Sequence, residues 1–143
     1  MRWRSGFKLD CVYNVHDAGD MPTTLHSCRI ENEVAPLLAR QARRKKLKLA
    51  ALSALYLGEK AVEEEFPGIG FRDGIGGREA YVQGSRVAVW EVVDVYREAK
   101  SAAKTADHFG WPDHLVKCAL AFAKAFPHQV AGQREAEVSP RWL

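Results

Sequence analysis

No stretch of about 18 consecutive apolar residues occurs in this chain, so a membrane-spanning helix is not expected. The opening Met1-Arg2-Trp3-Arg4-Ser5-Gly6 lacks the apolar run of a secretion signal. Cysteine is scarce. Cys11, Cys28 and Cys118 are odd in number and far apart. They offer neither a disulfide framework nor a C-x-x-C zinc pattern, and a cytoplasmic location follows as the expectation. No Ser/His/Asp set or carboxylate pair stands out, so neither catalysis nor a cofactor is expected. Gly68-Ile69-Gly70 starts like a dinucleotide loop, but Asp73 stands where the third glycine is required. His114 and Cys118 are four apart with no further ligand at matching spacing, which favours a core or surface pair over a metal site.

What is present is ordinary globular material: 143 residues, 47% hydrophobic and 27% charged. That length allows one domain or two small ones. The net charge of +3 conceals an uneven distribution. Arg40, Arg43, Arg44, Lys45, Lys46 and Lys48 form six cations with no acid among them. Without them, 15 basic residues face 18 acidic ones. A concentrated cationic source is the footprint of a polyanion-binding surface, or else a solvated helix face.

Residues 1–22 carry no period and read as an arm, with Met21 an alternative start. Thr23 to Ile30 is extended in character. Its alternation sets His26, Cys28 and Ile30 on one face and Leu25, Ser27 and Arg29 on the other. Such a strand needs a partner. Glu31 to Arg44 reads as a helix, with Asn32 as N-cap and Pro36 in the first turn. Its apolar face is Val34, Leu37, Leu38 and Ala42. Leu47 to Glu65 is a second helical run, apolar on most sides, which predicts a homodimer core. One uninterrupted helix from Glu31 to Glu65 is the alternative.

Phe66 to Arg86 is glycine-rich and reads as turns and short strands, Glu79 to Gln83 being the best strand. Three helices follow, Val87–Ala99, Ser101–Phe109 and Pro112–Phe126. Ala106, Gly110, Val116 and Leu120 carry helix-turn-helix spacing across the last two. Asp113 opens the final helix and would repel phosphate, so packing or protein binding suits it better than base reading. Pro127 closes that helix, and residues 129–143 read as a polar tail. The expected fold is mainly α with short β. It comprises a ribbon-helix-helix-like dimerisation unit (23–65) and a β-hairpin plus three-helix, helix-turn-helix-like unit (66–128).

Strand, helix, helix with cations at the junction is the ribbon-helix-helix order. In that fold two strands form a ribbon in the DNA major groove. Leu25, Ser27 and Arg29 would face the bases, Arg29 being suited to guanine. Arg43, Arg44, Lys45, Lys46 and Lys48 would hold phosphate. The competing reading is an edge strand with Arg29 in a surface ion pair.

Phe66-Pro67-Gly68-Ile69, Phe71-Arg72-Asp73-Gly74, Gly77-Arg78-Glu79-Ala80, Gly84-Ser85-Arg86 and Val89-Trp90-Glu91-Val92-Val93 lie in one order along the chain. With Ala119-Leu120-Ala121 and Phe126-Pro127-His128, this stretch resembles the domain-of-unknown-function family 433. Ser85 stands where members usually have threonine. The resemblance implies a type II antitoxin that dimerises, represses its own operator DNA and neutralises a PIN-like ribonuclease toxin. Arg134, Arg141 and Trp142 are then the expected toxin contacts, since Arg and Trp commonly anchor interfaces. The alternative is a protein-interaction module without DNA binding.

Overall fold

The computed structural model describes residues 13–14 and 22–138. The molecule is mainly helical with short antiparallel β pairs. The chain divides into two compact units, Met1–Lys46 and Leu47–Leu143. This places the second helix with the glycine-rich segment, whereas the sequence pattern suggested a boundary near 65.

In the first unit, β1 (Tyr13–Asn14) pairs antiparallel with β2 (Thr23–Thr24). Thus the arm contributes a strand residue pair. The extended reading of Thr23 to Ile30 is realised only at its first two residues. Leu25 to Ile30 form no strand and make no backbone hydrogen bond among the described residues. Alternation alone does not fix a strand; the ladder needs a neighbour with matching register, and one chain supplies it only as far as Thr24.

α1 spans Ala35–Lys45. It starts later than the pattern suggested because Asn32 and Glu33 belong to a turn, closed by the Val34 and Ala35 amides donating to the Glu31 carbonyl at 3.0 and 3.2 Å. Asn32 is not the N-cap; Val34 holds that position without a side-chain bond, and Pro36 sits in the first turn. The helix stops at Lys46, whose φ of 55° and ψ of 39° are left-handed. Its N–H donates to the Ala42 and Arg43 carbonyls, satisfying two orphan acceptors. The chain from 31 to 65 therefore carries two helices, separated by Lys46, Leu47 and Lys48, with no glycine among them.

The second unit begins with α2 (Leu49–Glu65), followed by the hairpin β3 (Ile69–Gly74) and β4 (Gly77–Val82). Gly74 pairs with Gly77 around a two-residue loop, and Ile69 pairs with Val82 at the open end. Gly76 needs to be small: a Cβ there would lie 2.9 Å from the Ala136 Cβ. After β4 the chain turns through Gly84 (φ 81°) and Ser85. The Ser85 hydroxyl donates to the Val82 carbonyl at 2.7 Å, and its oxygen accepts the Val87 amide at 3.1 Å.

α3 (Val89–Ala99), α4 (Ala102–Phe109) and α5 (Asp113–Ala125) then pack on one another and, through α3 and α5, on the hairpin. Glu91 reaches back to accept the Ala88 amide at 2.7 Å, half of a capping box. Ser101 caps α4 by accepting the Lys104 amide, and Gly110 ends that helix at φ 69°. The core is Ile69, Ala80, Val82, Val89, Val92, Ala106, Val116, Ala119, Phe122 and Val130. Phe122 is its largest member, with Phe66, Phe71 and Phe126 ring centroids 5.7, 6.2 and 5.0 Å away.

Residues 129–138 of the segment read as a tail belong to a helix. Pro127 does end α5, but it also opens α6 (Pro127–Val138), where its missing N–H and fixed φ are suited to the first turn. α6 has little hydrophobic periodicity. Val130 is its one buried residue, and its other anchors are polar. Gln133 Oε1 accepts the Ala80 amide at 3.2 Å, and Glu137 Oε1 accepts the Gly76 amide at 2.6 Å. Arg134 Nε donates to both Asp94 oxygens at 3.0 and 2.8 Å. Residues 130, 133, 134 and 137 lie on one helical face, so α6 docks by satisfying the backbone of the hairpin.

Candidate nucleic-acid interface

The end of α1 gathers Arg40, Arg43, Arg44 and Lys45, and the turn adds Lys46 and Lys48. All six are exposed. Arg43, Arg44 and Lys45 occupy the last helical turn, where the carbonyl ends attract cations. Arg40, Arg43, Arg44, Lys46 and Lys48 make no ion pair among the described residues. From 22 to 46 there are six cations and two acids, a local charge of +4. Close spacing of so many cations without acids costs self-repulsion, which a polyanion relieves.

The base-facing candidates lie in the first unit, as do all these cations except Lys48. Leu25 is 61% exposed, and Ser27 and Arg29 are exposed too. Their alternation partners His26, Cys28 and Ile30 are exposed as well, so within a single chain neither face of the segment is covered.

The second unit pairs most of its arginines but few of its lysines: Lys60 pairs with Glu64, whereas Lys48, Lys100, Lys104, Lys117 and Lys124 make no ion pair among the described residues. Four of its five arginines in the described residues are paired with carboxylates inside the unit. Arg78 donates to Glu59 twice, at 2.6 and 2.8 Å, and to Asp73 at 3.2 Å. The Glu59 carboxylate raises the Arg78 pKa above its ordinary value. Arg72 Nε donates to Glu79 at 2.8 Å, its other end donates to the Arg86 carbonyl at 2.9 Å, and its guanidinium lies 4.9 Å from the Tyr81 ring centroid. Sequence spacing gave no sign of the Arg78–Glu59 bridge, because it joins a helix to a hairpin 19 residues away. The Arg72–Glu79 pair was legible in principle, as opposing residues of a two-residue hairpin loop.

Of the residues expected to meet a toxin, Arg134 already holds Asp94 and is half-exposed at 45%. Arg141 and Trp142 lie outside the described residues. Arg134 and Asp94 line a groove of about 560 Å³ between α3 and α6, together with Trp90, Arg97, Val130 and Val138. The Trp90 indole N–H is buried without a hydrogen-bond partner among the described residues. The Cys118 thiol donates to the Pro67 carbonyl at 3.2 Å, and burial pushes its pKa up. On the α2 surface, Lys60 and Glu64 pair at 2.7 Å, which raises the lysine pKa and lowers that of the carboxyl. No helix among the described residues is long and apolar enough to cross a membrane, and no cluster of three metal-ligating side chains occurs among them.

No protein-family model, curated protein or solved structure matches this chain.

Proposed function

We propose that this chain is a DNA-binding antitoxin of the type II class, a cytoplasmic dimeric repressor with no catalytic role of its own. The observation that carries the reading is the clustering of six exposed cations between Arg40 and Lys48 with no acid among them. Arg40, Arg43, Arg44, Lys46 and Lys48 make no ion pair among the described residues. Unpaired cations grouped at one helix end are what phosphate neutralisation requires.

In this reading a second copy completes the ribbon that one chain cannot. Leu25 to Ile30 make no backbone hydrogen bond among the described residues, and Leu25 and Ile30 are 61% and 46% exposed. Antiparallel pairing of two such segments would satisfy the ladder and turn Leu25, Ser27 and Arg29 to base edges, with Arg43, Arg44, Lys45, Lys46 and Lys48 on phosphates. The ribbon-helix-helix-like assignment of the first unit belongs to this proposal. So do the helix-turn-helix-like character of α4 and α5 and kinship of the second unit with the domain-of-unknown-function family 433. The second unit would then receive a PIN-like ribonuclease toxin, and the α3–α6 groove with Arg134 is its docking candidate.

Fluorescence anisotropy with DNA from upstream of the gene, over a salt series, tests the DNA half. Binding should weaken steeply with salt, and replacing Arg43 and Arg44 by Ala should flatten the dependence. An absence of binding at low salt would replace the repressor with a pure protein-interaction module. Co-purification with the product of the adjacent gene tests the toxin half.

A further inference from the structure

α6 is weak as a helix and is held in place by side-chain anchors. Its 12 residues sit at the lower limit for a helix that persists alone in water. Gly132 stands in its middle, which weakens a helix interior, and a Cβ there would meet nothing within 4 Å, so packing does not require the glycine. The first turn holds no acidic residue, and Glu135 and Glu137 lie in the last turn, where the carbonyl ends repel them. Val130 is the one buried side chain. Against these weaknesses stand three anchors to three different places: Gln133 on the Ala80 amide of β4, Glu137 on the Gly76 amide of the hairpin loop, and Arg134 on Asp94 of α3. The near end is fixed, because the Phe126 ring lies 5.0 Å from that of Phe122 and 6.2 Å from that of Phe66.

We propose that α6 is a latch: it lifts as one unit about Phe126 and Pro127 while the rest of the second unit stays folded. Cooperativity follows from the balance above. A helix that does not persist alone keeps its shape only while docked, so losing one anchor loosens the other two. Release has consequences because α6 is a wall of two concavities. Val130, Ala131, Arg134 and Val138 line the groove against α3, and Gln129, Gly132, Gln133 and Ala136 line a cleft of about 600 Å³ against α2 and the hairpin. Lifting α6 removes both walls together and frees the Gly76 and Ala80 amides. A partner seated in either concavity holds the latch shut, and by reciprocity an open latch lowers the affinity of both. Regulation of toxin docking by the latch rests on the toxin reading; the latch itself does not.

The test is native-state hydrogen exchange of the full chain, read amide by amide by NMR. Gly76 and Ala80 should share one opening constant, at least about tenfold larger than those of Val82, whose amide donates to the Val87 carbonyl, and Val92. Asp94→Ala removes the catch on α3 without altering α6 and touches neither Gly76 nor Ala80. It should raise opening at both amides equally, by at least about threefold, and leave Val82 and Val92 unchanged. Gly132→Ala should lower opening at both by about fivefold. Should Asp94→Ala loosen the whole unit, so that Val82 and Val92 quicken too, Gly132→Ala decides, since it acts in the opposite direction. Exchange of Gly76 and Ala80 no faster than that of Val82, a response at one amide alone, or no slowing in Gly132→Ala would each overturn the proposal. A chain that ignores both promoter DNA and the product of the adjacent gene would keep this exchange pattern, so the two failures are read separately.

Discussion

Lys46 is where fold and proposed function make separable demands on one residue. It is left-handed at φ 55°, a conformation that costs a side-chain-bearing residue roughly 1–2 kcal/mol. Glycine would remove that strain while adding about 0.4–1 kcal/mol of unfolded-state freedom. Lys46→Gly should therefore stabilise α1 by up to about 1 kcal/mol, since the amide bonds to Ala42 and Arg43 are retained. Lys46→Ala keeps the strain and should change stability by less than about 0.5 kcal/mol. Both remove one exposed cation per chain. Both should make the salt dependence of DNA binding shallower by about one unit per chain, to the same degree. Urea denaturation followed by circular dichroism reads the first effect, and anisotropy across salt reads the second. The reasoning fails if Lys46→Gly is less stable than Lys46→Ala, or if their DNA affinities differ by more than about threefold, roughly 0.6 kcal/mol.

Arg78→Ala should cost about 2 kcal/mol by thermal or urea unfolding, since it removes two charge-assisted bonds and strands Glu59 at 12% exposure; partial exposure of Arg78 keeps the loss below that of a fully buried pair. A double-mutant cycle with Glu59→Ala should show coupling of about 1 kcal/mol or more, and an additive result would refute the bridge. Phe122→Ala, which empties the centre of four aromatic rings, should cost about 3–5 kcal/mol in the same assay. Trp90→Phe should leave stability unchanged or raise it by about 1 kcal/mol, because it removes a buried donor with no acceptor among the described residues; a loss above about 1 kcal/mol would show that the indole N–H is satisfied.

Much of the second unit was legible along the chain. The Gly110 turn, the Val89–Val92 face and the Ile69–Val82 hairpin each rest on neighbours within a few residues or on strongly periodic apolar positions. The cationic cluster, too, could be read from composition, because exposed charge depends little on packing. Helix boundaries shifted where backbone bonding overrode propensity. Asn32 favoured a cap, but the turn on the Glu31 carbonyl placed the cap two residues later, at Val34.

By itself the sequence determined the helical character of the chain and the concentration of positive charge, since these depend on local chemistry and short spacings; the break at Lys46 was settled only by the structure. Only the tertiary structure decided that residues 127–138 form a helix. Its anchors Gln133, Arg134 and Glu137 look like solvent-facing side chains until the hairpin amides and Asp94 are brought beside them. Tertiary structure also decided which arginines are paired and which remain available. Ion pairing across long sequence separations is a property of the folded surface, and linear spacing carries no record of it.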